Sequence, residues 1–147
     1  MPTYATNKRA RFDYDILDTT EAGLVLTGPE VKSIRMQSVK LLGAFVTFHD
    51  NNALLTNLHI SKYAKASTIQ NYDPDRSRKL LLKKKEIDYL RGRAHEQGLT
   101  IIPLSLYTKG PLIKLEIGVA RGRKKFDKRE KIKKRDIARD MAREKKF

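Results

Sequence analysis

Phe12, Tyr14 and Ile16 alternate with Asp13 and Asp15, and a period of two predicts a strand. The run EAGLVL, residues 21–26, predicts a returning strand, with Gly23 marking a bulge or a tight approach. The period then changes. In TGPEVKSIRM, residues 27–36, Thr27 and Glu30 have capping-box spacing and Pro29 suits a first helical turn. Val31 and Ile34 would face inward on this helix, with Lys32 and Arg35 outward. AFVTFHD and ALLTNLHI predict two strands joined at Asn51-Asn52. Residues 61–79 are polar, with turn chemistry at Asp73-Pro74, and predict an irregular loop. From Leu80 to about Gln97 the spacing of Ile87, Leu90 and Ala94 predicts a helix, which Gly98 would end. Residues 100–120 predict a hairpin turning at Lys109-Gly110-Pro111. About six short strands and two short helices, with no internal repeat, argue for a small barrel or sandwich.

Composition changes this picture at one end only. The 147 residues are 39% apolar, enough for one packed core, and carry a formal net charge of +15. Residues 1–120 hold 18 basic and 12 acidic side chains, whereas residues 121–147 hold 14 and 5. Most of the excess charge therefore lies in the last fifth of the chain. Such a one-sign field points to a polyanion, with nucleic acid ahead of an anionic membrane surface. The absence of cysteine excludes disulfides and thiolate metal sites and fits a cytosolic protein. No apolar run approaches a membrane span, and the first residues lack the apolar core of a secretory signal.

The candidate chemistry is binding rather than catalysis. His49, His59 and His95 have no second ligand at zinc spacing, and no P-loop or G-x-S-x-G occurs. The pairs Asp13/Asp15 and Asp73/Asp75 are of a kind common in loops and on strand faces. RSRKLLLKKK, residues 76–85, reads equally as a solvated helix start with inward leucines or as a basic rim. NKRARF, residues 7–12, reads as a basic arm, either loose or laid on phosphate. Lys114 and Glu116 share a strand face opposite Ile113, Leu115 and Ile117. Read as a helix, the final segment has Asp127 and Glu130 at capping-box spacing. Its Lys131, Arg135, Arg139 and Arg143 would form one stripe, beside a second of Asp136, Asp140 and Glu144.

The ordered blocks NKRARFDY, EAGLVLTGPEVKSIR, RSRKLLLKKKEI, IIPLSLYTKG and KLEIGVARGRKKFDKR, followed by the basic tail, resemble the SmpB family, the small protein B partners of transfer-messenger RNA (tmRNA). The resemblance runs from about Asn7 to the end of the chain. It implies a mainly β fold: a closed six-stranded antiparallel barrel of the oligonucleotide-binding type, with two or three short flanking helices. It implies a barrel over residues 1–120 and a tail over residues 121–147 that is disordered when free and helical on the ribosome. It further implies an RNA-binding adaptor, not an enzyme, that carries tmRNA to stalled ribosomes for trans-translation. The implied partners are the tRNA-like domain of tmRNA, the ribosomal decoding region and message channel, and aminoacyl-tmRNA with elongation factor Tu. No cofactor, metal, membrane or small-molecule substrate is implied, and the implied location is cytoplasmic. By match to the family's blocks, RNA contact falls on Asn7, Glu21, Leu81 and Lys114. The cations Lys8, Arg9, Lys79, Lys83, Arg121, Lys124 and Lys125, with the junction glycine Gly122, complete the expected RNA set. Asp127, Lys128 and Arg129 match the family's tail start, and Lys131, Arg135, Arg139 and Arg143 complete the expected ribosome contacts. Lys83, Phe12 and Phe126 depart from the family's pattern; a phenyl ring stacks on a base but neither titrates nor hydrogen-bonds. Without the resemblance, Glu21 would read as a strand residue paired with a nearby lysine. The alternative function is a structural ribosomal protein with a barrel and a basic tail.

Overall fold

The computed structural model of the chain describes residues 3–63 and 71–123. In chain order these form β1 (Thr3–Thr6), α1 (Ala10–Asp13), β2 (Tyr14–Leu24), α2 (Gly28–Arg35), β3 (Val39–Lys40) and β4 (Phe45–His49). There follow β5 (Asn52–Thr56), β6 (His59–Ile60), β7 (Arg78–Leu81), α3 (Lys84–His95), β8 (Leu99–Lys109) and β9 (Leu112–Gly122). The fold is mainly β, with a large antiparallel sheet and three short helices among the described residues. The main sheet has seven strands in the order β1-β8-β9-β2-β7-β5-β4, rather than six, and β3 pairs separately with β6. The sheet curls so that β4 passes within 8 Å of β8.

The expected hairpin of residues 100–120 is present as β8 and β9, with Lys109 opposite Leu112 and Gly110 at φ 61° in the turn. Glycine takes this left-handed backbone without a Cβ penalty. The strand predicted around residue 14 and its return at 21–26 are instead one continuous strand, β2, preceded by the helical turn α1. The reason is long-range: β9 pairs along β2 from Tyr14↔Gly122 to Gly23↔Lys114, with only a register shift between Ile16 and Asp18. At Gly23 a Cβ would stand 3.2 Å from the Leu81 Cβ, so glycine lets β7 close onto β2. The β4–β5 turn falls one residue earlier than expected, with Asp50 at φ 54° and His49 opposite Asn52.

Helix α2 begins as the sequence predicts. The Thr27 hydroxyl accepts from the Glu30 N–H at 3.3 Å, and the Glu30 carboxylate accepts from the Thr27 N–H at 3.0 Å. Ile34 is buried, Val31 half-buried, and Lys32 and Arg35 exposed. Glu30 is buried too, because it is the centre of an ion-pair network. Arg78 Nε and Nη2 donate to its Oε2 at 2.9 and 2.7 Å, and Arg76 reaches Oε1. Arg78 also donates to the Leu58 carbonyl and, at 3.1 Å, to the Tyr72 hydroxyl. This clamp explains why residues 78–81 are a strand, not the end of a loop and the start of a helix. Arg78 and Leu80 point into the core and Lys79 and Leu81 point out. Only then does α3 start, packing Leu90 inward.

The core holds Ile34, Leu55, Leu58, Ile60, Leu80, Leu90, Leu106, Leu115 and Ile117, all at most 2% exposed. Burying each such aliphatic side chain stabilises the fold by about 1.5–3 kcal/mol. A smaller cluster of Ala10, Ile102, Leu104 and Ala120 fills the β8–β9 end. There Gly118 is boxed in: a Cβ would meet Leu104 Cδ1 at 2.9 Å and Ile16 Cγ2 at 3.2 Å.

Candidate nucleic-acid interface

Three adjacent strands carry one groove. Glu21 lies on β2, and Gly23, two residues on, stands between Leu81 of β7 and Lys114 of β9. With Leu82, Lys83 and Glu86 these residues line a groove of about 500 Å³. Leu81 is 54% exposed, an apolar surface left open amid charge. Lys83 stands at the N-terminus of α3, its backbone N–H held by the Glu86 carboxylate at 2.9 Å. Of the leucines in the basic run, Leu80 packs inward and Leu82 is half-buried, whereas Leu81 belongs to the surface.

Glu21 has two partners, of which the sequence anticipated a lysine without naming it and missed the tyrosine. Tyr107 donates its hydroxyl hydrogen to Oε2, and Lys109 Nζ donates to Oε1 at 3.3 Å. These bonds, the Tyr107 one first, hold the Glu21 carboxyl below its ordinary value, with help from the Lys109 and Lys114 charges. Tyr107 is pushed well above the usual phenol range by burial and by the neighbouring Glu21. The sequence reading of Glu21 as paired with a nearby lysine did not single out Lys109, which reads there as a turn residue.

A second group lies at the start of the chain. The Asn7 N–H donates to the Leu104 carbonyl at 2.8 Å, and its Nδ2 donates to the Pro103 carbonyl at 3.1 Å. Asn7 therefore fastens the end of β1 to β8. Lys8 and Arg9 are exposed, and the Arg9 guanidinium sits 5.1 Å from the Phe12 ring and 3.4 Å from Asp13. Together with Tyr4, Lys40 and Leu42, the 7–9 segment borders a groove of about 430 Å³. The basic arm is thus a built part of the fold rather than a loose leader.

Arg121 and Gly122 continue β9 opposite Asp15 and Tyr14, so the strand extends two residues past Ala120. Lys79 is exposed on β7 opposite Leu54, outside the groove lining. Lys124, Lys125, Asp127, Lys128, Arg129, Lys131, Arg135, Arg139 and Arg143 lie outside the described residues. Among the described residues, no group of three His, Asp or Glu side chains converges to hold a metal. None of the described helices is long and apolar enough to cross a membrane.

Comparison with known proteins decides what the arrangement belongs to. Residues 4–147 match the family described as SmpB protein. The chain belongs to the SmpB family. An SsrA-binding protein of Synechococcus sp. (strain JA-2-3B'a(2-13)) is 53% identical over 144 residues, covering 98% of this chain and 94% of that protein. SsrA-binding proteins of Leuconostoc mesenteroides and Mesoplasma florum are each 50% identical, covering 95% and 97% of this chain and 90% and 96% of theirs. A solved structure described as "tmRNA-SmpB: a journey to the center of the bacterial ribosome" aligns with TM-score 0.71 and 45% identity, covering 85% of this chain and 87% of that one. The sequence blocks that suggested the SmpB family now have places: NKRA joins β1 to α1, EAGL ends β2, KLL ends β7, and KLEIGVARG is most of β9.

Proposed function

We propose that this protein binds the tRNA-like domain of tmRNA and delivers it to stalled ribosomes for trans-translation. Membership of the SmpB family and relatives named SsrA-binding protein support this reading. The observation that carries it to particular residues is the meeting of Glu21, Leu81, Lys83 and Lys114 in one groove. These residues come from segments up to 93 positions apart, and three of them match family blocks independently. The groove offers what irregular RNA needs: an apolar ledge for a base face, cations for phosphate, and a carboxylate for base N–H groups. Asn7, Lys8 and Arg9 extend the contact along β8, with Lys79, Arg121, Lys124 and Lys125 supplying further phosphate partners. In this reading the curled sheet, with β4 brought beside β8, works as a closed oligonucleotide-binding barrel. The segment after β9 is a separate tail that enters the decoding region and message channel, with Asp127, Lys128 and Arg129 at its start. Lys131, Arg135, Arg139 and Arg143 pair there with ribosomal RNA phosphates. The protein acts by binding, not by catalysis, and aminoacyl-tmRNA with elongation factor Tu completes the delivered assembly.

The test compares binding to the tRNA-like domain and to an unrelated hairpin of equal length across salt. If five phosphates are neutralised, the log–log slope is about −4.5, using the duplex-DNA coefficient of ~0.9 per phosphate. Equal affinity for the two RNAs refutes the reading. A chain ending at Arg123 should still bind the RNA yet fail to support tagging, and normal tagging by that chain would refute the role given to the tail.

A further inference from the structure

Among the described residues, the Glu21 carboxylate is only partly used. A carboxylate has about four acceptor positions, two on each oxygen. Tyr107 takes one on Oε2 and Lys109 takes one on Oε1. Among the described residues one position on each oxygen remains, and the side chain, 37% exposed, lines the groove that contains Leu81. Two neighbouring acceptors on one rigid plane fit two neighbouring donors. Among the four RNA bases, only guanine presents adjacent donors, N1–H and N2–H, on its Watson–Crick edge. Adenine and cytosine each offer an amino group beside a bare ring nitrogen, and uracil offers one N–H between two carbonyls. Each of those edges would set a lone pair against a carboxylate oxygen.

We propose that this groove is a guanine subsite. Glu21 accepts from N1–H and N2–H of an unpaired guanine whose ring face lies on Leu81, and Tyr107 and Lys109 are positioning residues that hold the carboxylate in place. Lys114 and Lys83 then meet the phosphates on either side. The proposal rests on the RNA-binding reading above and adds to it which base the groove selects. Among the described residues, the charged and titratable groups around Glu21 are Tyr107 and Lys109 from β8, Lys114 and Glu116 from β9, and Lys83 and Glu86 at the start of α3. Their lysines outnumber the two further carboxylates, so the carboxylate stays ionised and acts as an acceptor on both oxygens at neutral pH. Tyr107 cannot exchange its role with the ligand, because its hydroxyl donates into the carboxylate and its ring is half-buried against the sheet.

The experiment measures affinity of the full chain for the tRNA-like domain with each unpaired guanine replaced, one at a time, by inosine. Inosine keeps N1–H and lacks only the 2-amino group. One replacement should weaken binding about tenfold, the loss expected of one hydrogen bond to a charged group. That penalty should disappear in Glu21→Gln and shrink to about threefold or less in Tyr107→Phe, which keeps the ring and loses only the donor. Carbon-13 NMR of the free protein supplies a readout that a merely structural role would not move. In Tyr107→Phe the Glu21 carboxyl should titrate closer to its ordinary value of 4.5 than in the parent, with the amide spectrum otherwise kept. If no inosine replacement weakens the parent while its preference for the tRNA-like domain persists, the guanine subsite is overturned and the RNA-binding reading stands. If Tyr107→Phe keeps the full inosine penalty and an unshifted Glu21 titration, the positioning role is overturned. If the parent shows no preference for the tRNA-like domain, the underlying reading falls instead.

Discussion

Replacing Arg78 by methionine tests the clamp between α2 and β7. The substitution keeps an unbranched stem in the core and removes the guanidinium. Arg78 is 0% and Glu30 1% exposed, so water cannot replace what is lost. Glu30 loses two donors on Oε2, the Leu58 carbonyl loses its partner from Arg78, and the Tyr72 hydroxyl loses one contact. Glu30 retains the Thr27 N–H, Arg76 and the Tyr72 hydroxyl at 3.3 Å. Breaking a buried pair by removing one partner costs ~3–5 kcal/mol, and the retained donors put this case near ~3. With an m-value of ~1.5 kcal/mol/M, the urea midpoint should fall by about 2 M. The double variant Arg78→Met/Glu30→Met should recover at least about 1 kcal/mol, because no unpaired charge is left in the core. A loss below about 1 kcal/mol for the single change, or strict additivity in the double, would refute this account of the clamp. The pH dependence has a definite sign. Burial pushes the Glu30 carboxyl up, but the Thr27 N–H, Arg76 and Arg78 more than offset it and leave it below 4.5. Its stabilisation is therefore complete above about pH 4.5 and lost as pH falls through the lower folded-state value. In Arg78→Met that acid edge should move to higher pH, which midpoints measured across pH would show.

Other changes separate packing from binding. Leu81→Ala should shift stability by no more than about 0.5 kcal/mol, since over half the residue is exposed, yet weaken RNA binding severalfold; thermal melting and calorimetric titration together check this. Lys114→Ala should lower RNA affinity and reduce the salt slope by about 1, read from affinities at several ionic strengths. Gly118→Ala should destabilise by about 1–3 kcal/mol in urea denaturation, because the new methyl would meet Leu104 and Ile16 closer than normal contact.

What the sequence revealed and what it hid divide by range. The Thr27–Glu30 cap and the β8–β9 hairpin depend on residues a few positions apart, and both were legible. The Phe12–Ile16 alternation and residues 21–26 were read as two strands because the apolar alternation stops before Asp18. Only pairing with β9, about a hundred residues away, straightens them into one. Strand β7 was hidden because its inward alternation includes an arginine, and an arginine is rarely fully buried without a carboxylate that only the fold supplies. In the candidate interface, Glu21, Leu81 and Lys114 were legible through family blocks, and their convergence came from register. Tyr107 and Lys109 carried no motif, so their bonds to Glu21 were visible only in three dimensions.

The pairing of β1 with β8 has a consequence for the order in which the molecule can be completed. Thr3 lies opposite Tyr107, and Asn7 is fixed by the carbonyls of Pro103 and Leu104. A growing chain therefore presents β1 before β8 and gives it that partner only after some hundred further residues have been made. The β8–β9 hairpin, closed by a tight turn, can form locally and early, whereas the long loop that joins β1 to β8 must close against chain entropy. Strand β1 is thus made long before it can be fastened, and the Asn7 segment cannot take its final shape on a nascent chain that stops short of β8.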